Sequence, residues 1–288
     1  MNLTIKNDKI TAEISTANGE IVSLKGIDGH EYFWSGDAWK FHAPLLFPIC
    51  GRVKDFKYSY KGKTYEMKQH GFTRGSDFEL ISHTAYEVTL ALKESCETLA
   101  VYPFRFLLTV NYRIFENTIE ARFTVRNNTD EELPFMIGWH PAFVLDEKLD
   151  LSSYSVQFKP DTALCLRPLT PHNFMESYSV PFPITDGIYR LNKADILNYR
   201  TLAFECNSGY AKLCSDSSKH SVSLEWSENV PYFCIWKMPE DDVNFICLEP
   251  WSGLPADGAK DEDFKTKPDM CRLAPDTEEA FIFRATFD

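Results

Sequence analysis

The chain has 288 residues, of which 44% are hydrophobic and 25% charged, a balance that excludes a disordered, collagen-like or small disulfide-framed chain. With 42 Asp and Glu against 30 Lys and Arg the net charge is −12, so the surface repels nucleic acid and anionic lipid, and neither is expected as a partner. Aromatic residues reach 14%, which suits strands and a cleft that stacks on a ring-shaped ligand. The opening residues, Met1-Asn-Leu-Thr-Ile-Lys, have no apolar core of the kind a signal peptide needs. The longest uncharged, mostly apolar run, Phe41 to Gly51, is too short to span a bilayer and carries Pro44 and Pro48. The eight cysteines stand singly, with no C-x-x-C pair, and read as reduced thiols in a cytoplasmic protein.

Along the chain the hydrophobic period is two. Ile10-Thr-Ala-Glu-Ile14 alternates, as does Tyr86-Glu-Val-Thr-Leu-Ala-Leu92. Leu108 to Ile114 and Ile119 to Val125 alternate on either side of a polar Glu116-Asn117, which predicts a long hairpin, and Asn127-Asn-Thr-Asp130 predicts a turn. Val222 to Trp226 alternates, Tyr232 to Trp236 is continuously apolar, and Phe281 to Phe287 closes the chain as a strand. No ten-residue stretch carries a clean 3.6 period, although short helical turns are expected near Asp37–Lys40 and Tyr102–Phe104. The pattern predicts an all-β chain of large, mainly antiparallel sheets, with residues 1–288 as one domain. Leu254 to Cys271, rich in Asp, Lys, Pro and Gly, reads as a long surface loop.

Four segments combine ionisable groups with aromatic and turn residues: Leu46 to Arg52, Gln69 to Arg74, Ile137 to Phe143, and Cys247 to Trp251. His140 precedes Pro141 and Glu249 precedes Pro250. A residue before proline is pushed into an extended conformation, and the missing N–H tends to stop a ladder there. Each side chain is therefore expected at a strand end, pointing into a cleft with a tryptophan beside it. Glu249 follows the apolar run Phe245 to Leu248, so its carboxylate is expected to be desolvated and a better base near neutral pH. His70, His140 and Glu249 have the residue types of a two-histidine, one-carboxylate metal triad. They lie far apart in sequence with no local ligand spacing, and no metal is expected.

Phe47-Pro48, Gly51-Arg52, His70-Gly71-Phe72 with Arg74, Gly138-Trp-His140-Pro141-Ala-Phe143 and Glu249-Pro250-Trp251 occur in the order and spacing of the aldose 1-epimerases. The chain resembles this galactose mutarotase-like family over nearly its whole length, most closely its LacX-like bacterial branch. The resemblance implies a β-supersandwich, no cofactor, and interconversion of the α and β anomers of a free hexose. It implies Glu249 as the base at the anomeric hydroxyl O1 and His140 as the acid at the ring oxygen O5, gripping the hemiacetal from opposite sides. His70, Arg52 and Asp195 then contact the sugar, and Trp251 covers its apolar face. Arg74 matches a position used by hexose-6-phosphate mutarotases, so a phosphorylated sugar also fits as ligand. Two more functions suit the same residue types: a carbohydrate-binding or sugar-sensing protein without turnover, and a glycoside hydrolase using Asp195 and Glu249. A monomer or a homodimer fits equally.

Overall fold

A computed structural model describes residues 1–238 and 243–288. Two large antiparallel sheets dominate. The first has nine strands, with Thr118–Asn127 between Phe106–Phe115 and Glu278–Phe287 at its centre. Phe115 pairs with Thr118, which leaves Glu116 and Asn117 as a two-residue turn in the predicted hairpin. The inward positions of these strands, among them Val110, Tyr112, Phe123, Phe281 and Phe283, are fully or almost fully buried, as a period of two requires when one face meets a core.

The second sheet has eight strands. It includes β1 (Leu45–Leu46), β2 (Gly138–Trp139), β3 (Ala142–Val144), β4 (Tyr232–Trp236) and β5 (Phe245–Trp251). Ring pairs join the two sheets, Trp139 to Phe283 at 6.1 Å and Trp226 to Phe233 at 4.9 Å between centroids, and adjoining segments pack on the first sheet through Phe47 to Phe106 at 5.1 Å and Phe135 to Phe281 at 5.8 Å. One continuous buried cluster runs from Leu3 to Phe287 through these contacts. Such aromatic packing adds to area burial in holding the sheets together.

The register of β5 positions the site. β4 pairs along all of its length to β5, up to Tyr232 opposite Trp251. On the other side β3 pairs with β5 only as far as Cys247, and β2 begins again at Trp251. The interruption falls where His140-Pro141 separates β2 from β3, and it faces Glu249-Pro250. The expected break at Pro141 is present. At Pro250 the strand continues, because the β4 side of the ladder carries it through a residue that lacks an N–H.

Two short helices were not visible as a period: Cys96–Val101 and Lys193–Tyr199. Six and seven residues are too few for a 3.6 repeat to show. Ser95 and Thr98 form a capping box on the first, and Tyr102 ends it rather than starting a turn of its own. Asp37 and Ala38 form a turn closed by a Gly36–Trp39 bridge, not a helical turn. The 254–271 stretch is only partly a surface loop: Leu254, Ala256 and Phe264 are buried, and Phe264 stacks on Tyr58 at 3.6 Å. All eight cysteines are free. Among the described residues no helix is long and apolar enough to cross a membrane.

The segment carrying His70 is locked against the 47–51 segment. His70 N–H donates to Gly51 O at 2.7 Å and Phe72 N–H to Phe47 O at 3.1 Å. Gly71 has φ +80, and a Cβ there would sit 2.0 Å from Phe47 O. A side chain is excluded both by the left-handed backbone and by this close approach. Gly71→Ala is expected to destabilise by about 3 kcal/mol or more, read as a lowered urea midpoint with unchanged m-value. A midpoint within error of wild type would refute the close approach.

Candidate active site

Strand alternation decides which side chains meet. Trp139 points into the core, where its Nε1–H donates to Ala43 O, so the next residue, His140, projects from the opposite face of the sheet. On β5, Ile246 and Leu248 join the main core, whereas Phe245 and Cys247 form a second apolar cluster flanked by Trp39 and Trp236. Glu249 continues that second face. The gap in the ladder lets His140 and Glu249 come together: His140 Nε2 lies 3.1 Å from Glu249 Oε2.

They form one wall of a cavity of about 150 Å³ that also takes in His70, Arg74, Trp39, Trp236 and Trp251. The His140 ring lies 5.1 Å from Trp39, 5.4 Å from His70 and 5.8 Å from Trp236, between centroids. Larger hollows, up to about 960 Å³, open elsewhere on the surface, but none sets a buried carboxylate beside a buried imidazole. The cavity is smaller than the roughly 300 Å³ at which ordinary ligand pockets begin, so a pyranose fills it completely or reaches past its mouth.

The electrostatics are those of a dry site. Glu249 is 1% exposed and His140 6% exposed. The contact between them is short but not aligned as a hydrogen bond; the Trp251 indole N–H is turned towards the Glu249 carboxyl, also without full alignment, and His140 Nδ1 is buried without a partner. Burial holds the Glu249 carboxyl well above the usual carboxylate range, against the charge of Arg74 and the indole N–H of Trp251. Burial, followed by the charge of Arg74, holds His140 well below the usual imidazole range. His70 is lowered in the same way, by burial first and then by Arg74 and His140. Its Nδ1 accepts the Gly51 N–H at 3.0 Å, which leaves Nε2 as the protonated nitrogen of the neutral ring. Burial thus favours a carboxylic acid beside neutral imidazoles.

Not every expected residue is in this group. Arg52 does not line the cavity. Its guanidinium lies over the Phe56 ring at 4.3 Å and the Phe174 ring at 5.2 Å, and donates to His172 O at 3.2 Å. Its neighbour Gly51 lines the cavity instead. Asp195 is also apart from the cluster: it sits in the first turn of Lys193–Tyr199 and accepts the Tyr189 hydroxyl at 3.1 Å. Thr201, just beyond that helix, reaches the cavity. His140 and Glu249 stand side by side rather than on opposite sides of the space.

The aldose 1-epimerase family model matches residues 1–282. The chain belongs to the aldose 1-epimerase family. Protein LacX of Lactococcus lactis subsp. lactis is 30% identical over 96% of this chain and 95% of its own length. Among solved structures, a galactose mutarotase related enzyme from Lactobacillus acidophilus is 34% identical, with a TM-score of 0.93 covering 100% of this chain and 97% of that one. A galactose mutarotase-like protein from Lactobacillus casei is 30% identical, with a TM-score of 0.93 over the whole of both chains. The fold is the β-supersandwich of these epimerase relatives.

Several cavity residues of this epimerase-family chain were not singled out from sequence. Trp236 ends an apolar strand and Trp39 lies in the Asp37–Lys40 stretch, both next to features that were noticed. Leu169, Asn173 and Pro255 come from irregular segments with no such signal.

The neutral state of His70 has a measurable consequence. A histidine kept neutral in the folded chain stabilises it above the unfolded value of 6.5, and that stability is lost as pH falls below it, where only the unfolded chain gains the proton. His70→Asn keeps an acceptor for Gly51 N–H and tolerates the φ of +65 at this position. Between pH 7.5 and 5.5 the unfolding free energy of wild type should fall by about 1 kcal/mol more than that of His70→Asn. Parallel pH profiles for the two proteins in urea would show that His70 is already charged.

Proposed function

We propose that the protein is an aldose 1-epimerase acting as a single 1–288 domain, interconverting the α and β anomers of an unphosphorylated aldohexose with Glu249 as base and His140 as acid. The observation that carries this reading is the 3.1 Å separation of His140 Nε2 and Glu249 Oε2 at the wall of a tryptophan-lined cavity. Membership of the family and relatives named as galactose mutarotase-like support the sugar as ligand.

The reaction needs a proton taken from O1 and a proton given to O5. Both oxygens are bonded to C1, so acid and base must themselves be neighbours, and a side-by-side pair meets that demand. Transfer of the Glu249 proton to His140 Nε2, 3.1 Å from Glu249 Oε2, creates the reactive carboxylate and imidazolium. Sugar hydroxyls donating to the carboxylate favour that form over the one burial favours. Glu249 then accepts the O1 proton, the C1–O5 bond breaks, and O5 takes the proton from His140. The open aldehyde turns about C1–C2. On reclosure O5 returns its proton to His140, and O1 recovers one from Glu249. The Nε2–H of His70 donates to the ring oxygen or a nearby hydroxyl, and the tryptophans cover the apolar ring faces.

Glu249 is the only carboxylate lining the cavity among the described residues, which removes the second acid a glycoside hydrolase needs. Arg74 is the only cationic side chain lining it among those residues. It stacks over Phe41 at 4.7 Å, donates to Gln69 O, and its charge acts on Glu249 and both histidines. A guanidinium committed in this way to the reacting pair favours a free hexose over its 6-phosphate.

Anomer exchange followed by NMR over glucose, galactose and glucose 6-phosphate tests the proposal. Acceleration with a free hexose is expected, and rates equal to the uncatalysed ones for every sugar would overturn it. Glu249→Gln should lower the rate at least about 10²-fold while preserving the fold, since it removes one proton-transfer group. Full rate in that variant would place the base elsewhere.

A further inference from the structure

We propose that His140, Cys247 and Glu249 form a binding site for a borderline-soft divalent cation of the Zn²⁺ class, and that the bound ion silences the acid–base pair. One imidazole nitrogen, the thiol sulfur and one carboxylate oxygen lie within 4.8 Å of one another, and all three residues are buried. Cys247 and Glu249 are two apart on β5 and so share a face, which brings the sulfur behind the carboxylate. The second observation is that both Glu249 oxygens are buried without an aligned hydrogen bond, with the imidazole nitrogen His140 Nε2 3.1 Å from one of them. Such atoms cost free energy until something binds them, and a cation satisfies several at once.

The donor set selects the ion. One sulfur, one nitrogen and one oxygen suit Zn²⁺, at about 2.3, 2.0 and 2.1 Å, and leave a fourth position open to the cavity. Mg²⁺ and Ca²⁺ take oxygen ligands and have no cage here. The imidazole and carboxylate are already near the spacing of tetrahedral ligands, so it is the thiol that must draw in. Binding releases the thiol proton and the carboxyl proton to solvent, with no change of oxidation state. The ion then occupies the lone pairs that would move protons between O1 and O5. Binding needs only these three side chains and is independent of the activity proposed above. The silencing rests on that activity.

Titration of Zn²⁺ into the full-length protein against a chromogenic chelator, followed by Co²⁺ absorption, tests the site. Wild type and Cys96→Ala, which removes an exposed thiol, should each hold one equivalent of Zn²⁺. Cys247→Ala and the near-isosteric Cys247→Ser, each checked for native circular dichroism, should bind it at least about tenfold more weakly. Co²⁺ should show a thiolate charge-transfer band in wild type that both Cys247 variants lack, and Mg²⁺ should not displace either ion. No retained equivalent in wild type, or equal retention in the Cys247 variants, would overturn the site. One equivalent of Zn²⁺ should also stop anomer exchange, and chelator should restore it. Zinc held through Cys247 by a protein that turns over no sugar would leave the metal site standing and remove the proposed activity. Unchanged exchange with zinc bound would remove the silencing alone.

Discussion

The burial of one carboxyl group beside one imidazole, without a hydrogen bond to satisfy either fully, is the constraint on which the rest of the molecule depends. Leaving the Glu249 oxygens unpaired in a dry site costs about 1–3 kcal/mol or more. A fold tolerates that only where the surrounding framework is rigid enough to prevent local collapse or flooding. Here two large sheets supply it, joined by fully buried rings such as Trp139, Phe233 and Phe283. The polar strain at the site and the apolar packing under it belong to the same strands, since Trp139 and His140, and Leu248 and Glu249, are sequence neighbours on opposite faces.

The break in the second sheet is the device that makes this arrangement possible. A continuous ladder between β3, β2 and β5 would have kept His140 and Glu249 in ordinary cross-strand register. Pro141 cannot donate to the ladder, and β5 stays straight because β4 holds its other edge. The His140 side chain therefore leans into the gap opposite Glu249-Pro250. A short irregularity in one strand pair, braced on the far side, thus turns two distant residues into one chemical group.

Much of the fold was legible in the sequence because half-buried strands write a period of two. The 106–127 hairpin, its Glu116-Asn117 turn and the 222–226 and 232–236 strands follow directly from that alternation. The two helices were not legible, because neither completes two turns. In the site, residue types and their order were readable, and the cavity lined by His70, Arg74, His140, Glu249 and Trp251 gathers five of the expected residues. Orientation was not readable. Arg52 is diverted by Phe56 and Phe174, which come from a turn beside it and a loop far along the chain. Asp195 is diverted by Tyr189, a local partner that accompanies its short helix. Both carry charges whose best available neighbours are set by tertiary packing, and no spacing rule reports that. The contact of His140 with Glu249 belongs to the same class, since it depends on a gap between strands.

The charge of Arg74 opposes part of what burial does to the pair. Burial alone drives the pair towards a carboxylic acid and a neutral imidazole, a state with no charged base. A single partly buried guanidinium, itself held by Gln69 O and the Phe41 ring, pulls Glu249 back towards its ionised form and opposes a proton on His140 or His70. It therefore favours a carboxylate but penalises the imidazolium that must accompany it. Burial acts on both members towards the neutral pair and Arg74 opposes it only at Glu249, so the carboxylic acid and the neutral imidazole remain the preferred form. Any hydrogen bond donated to the Glu249 carboxyl would act in the same sense as Arg74, because it favours the ionised form.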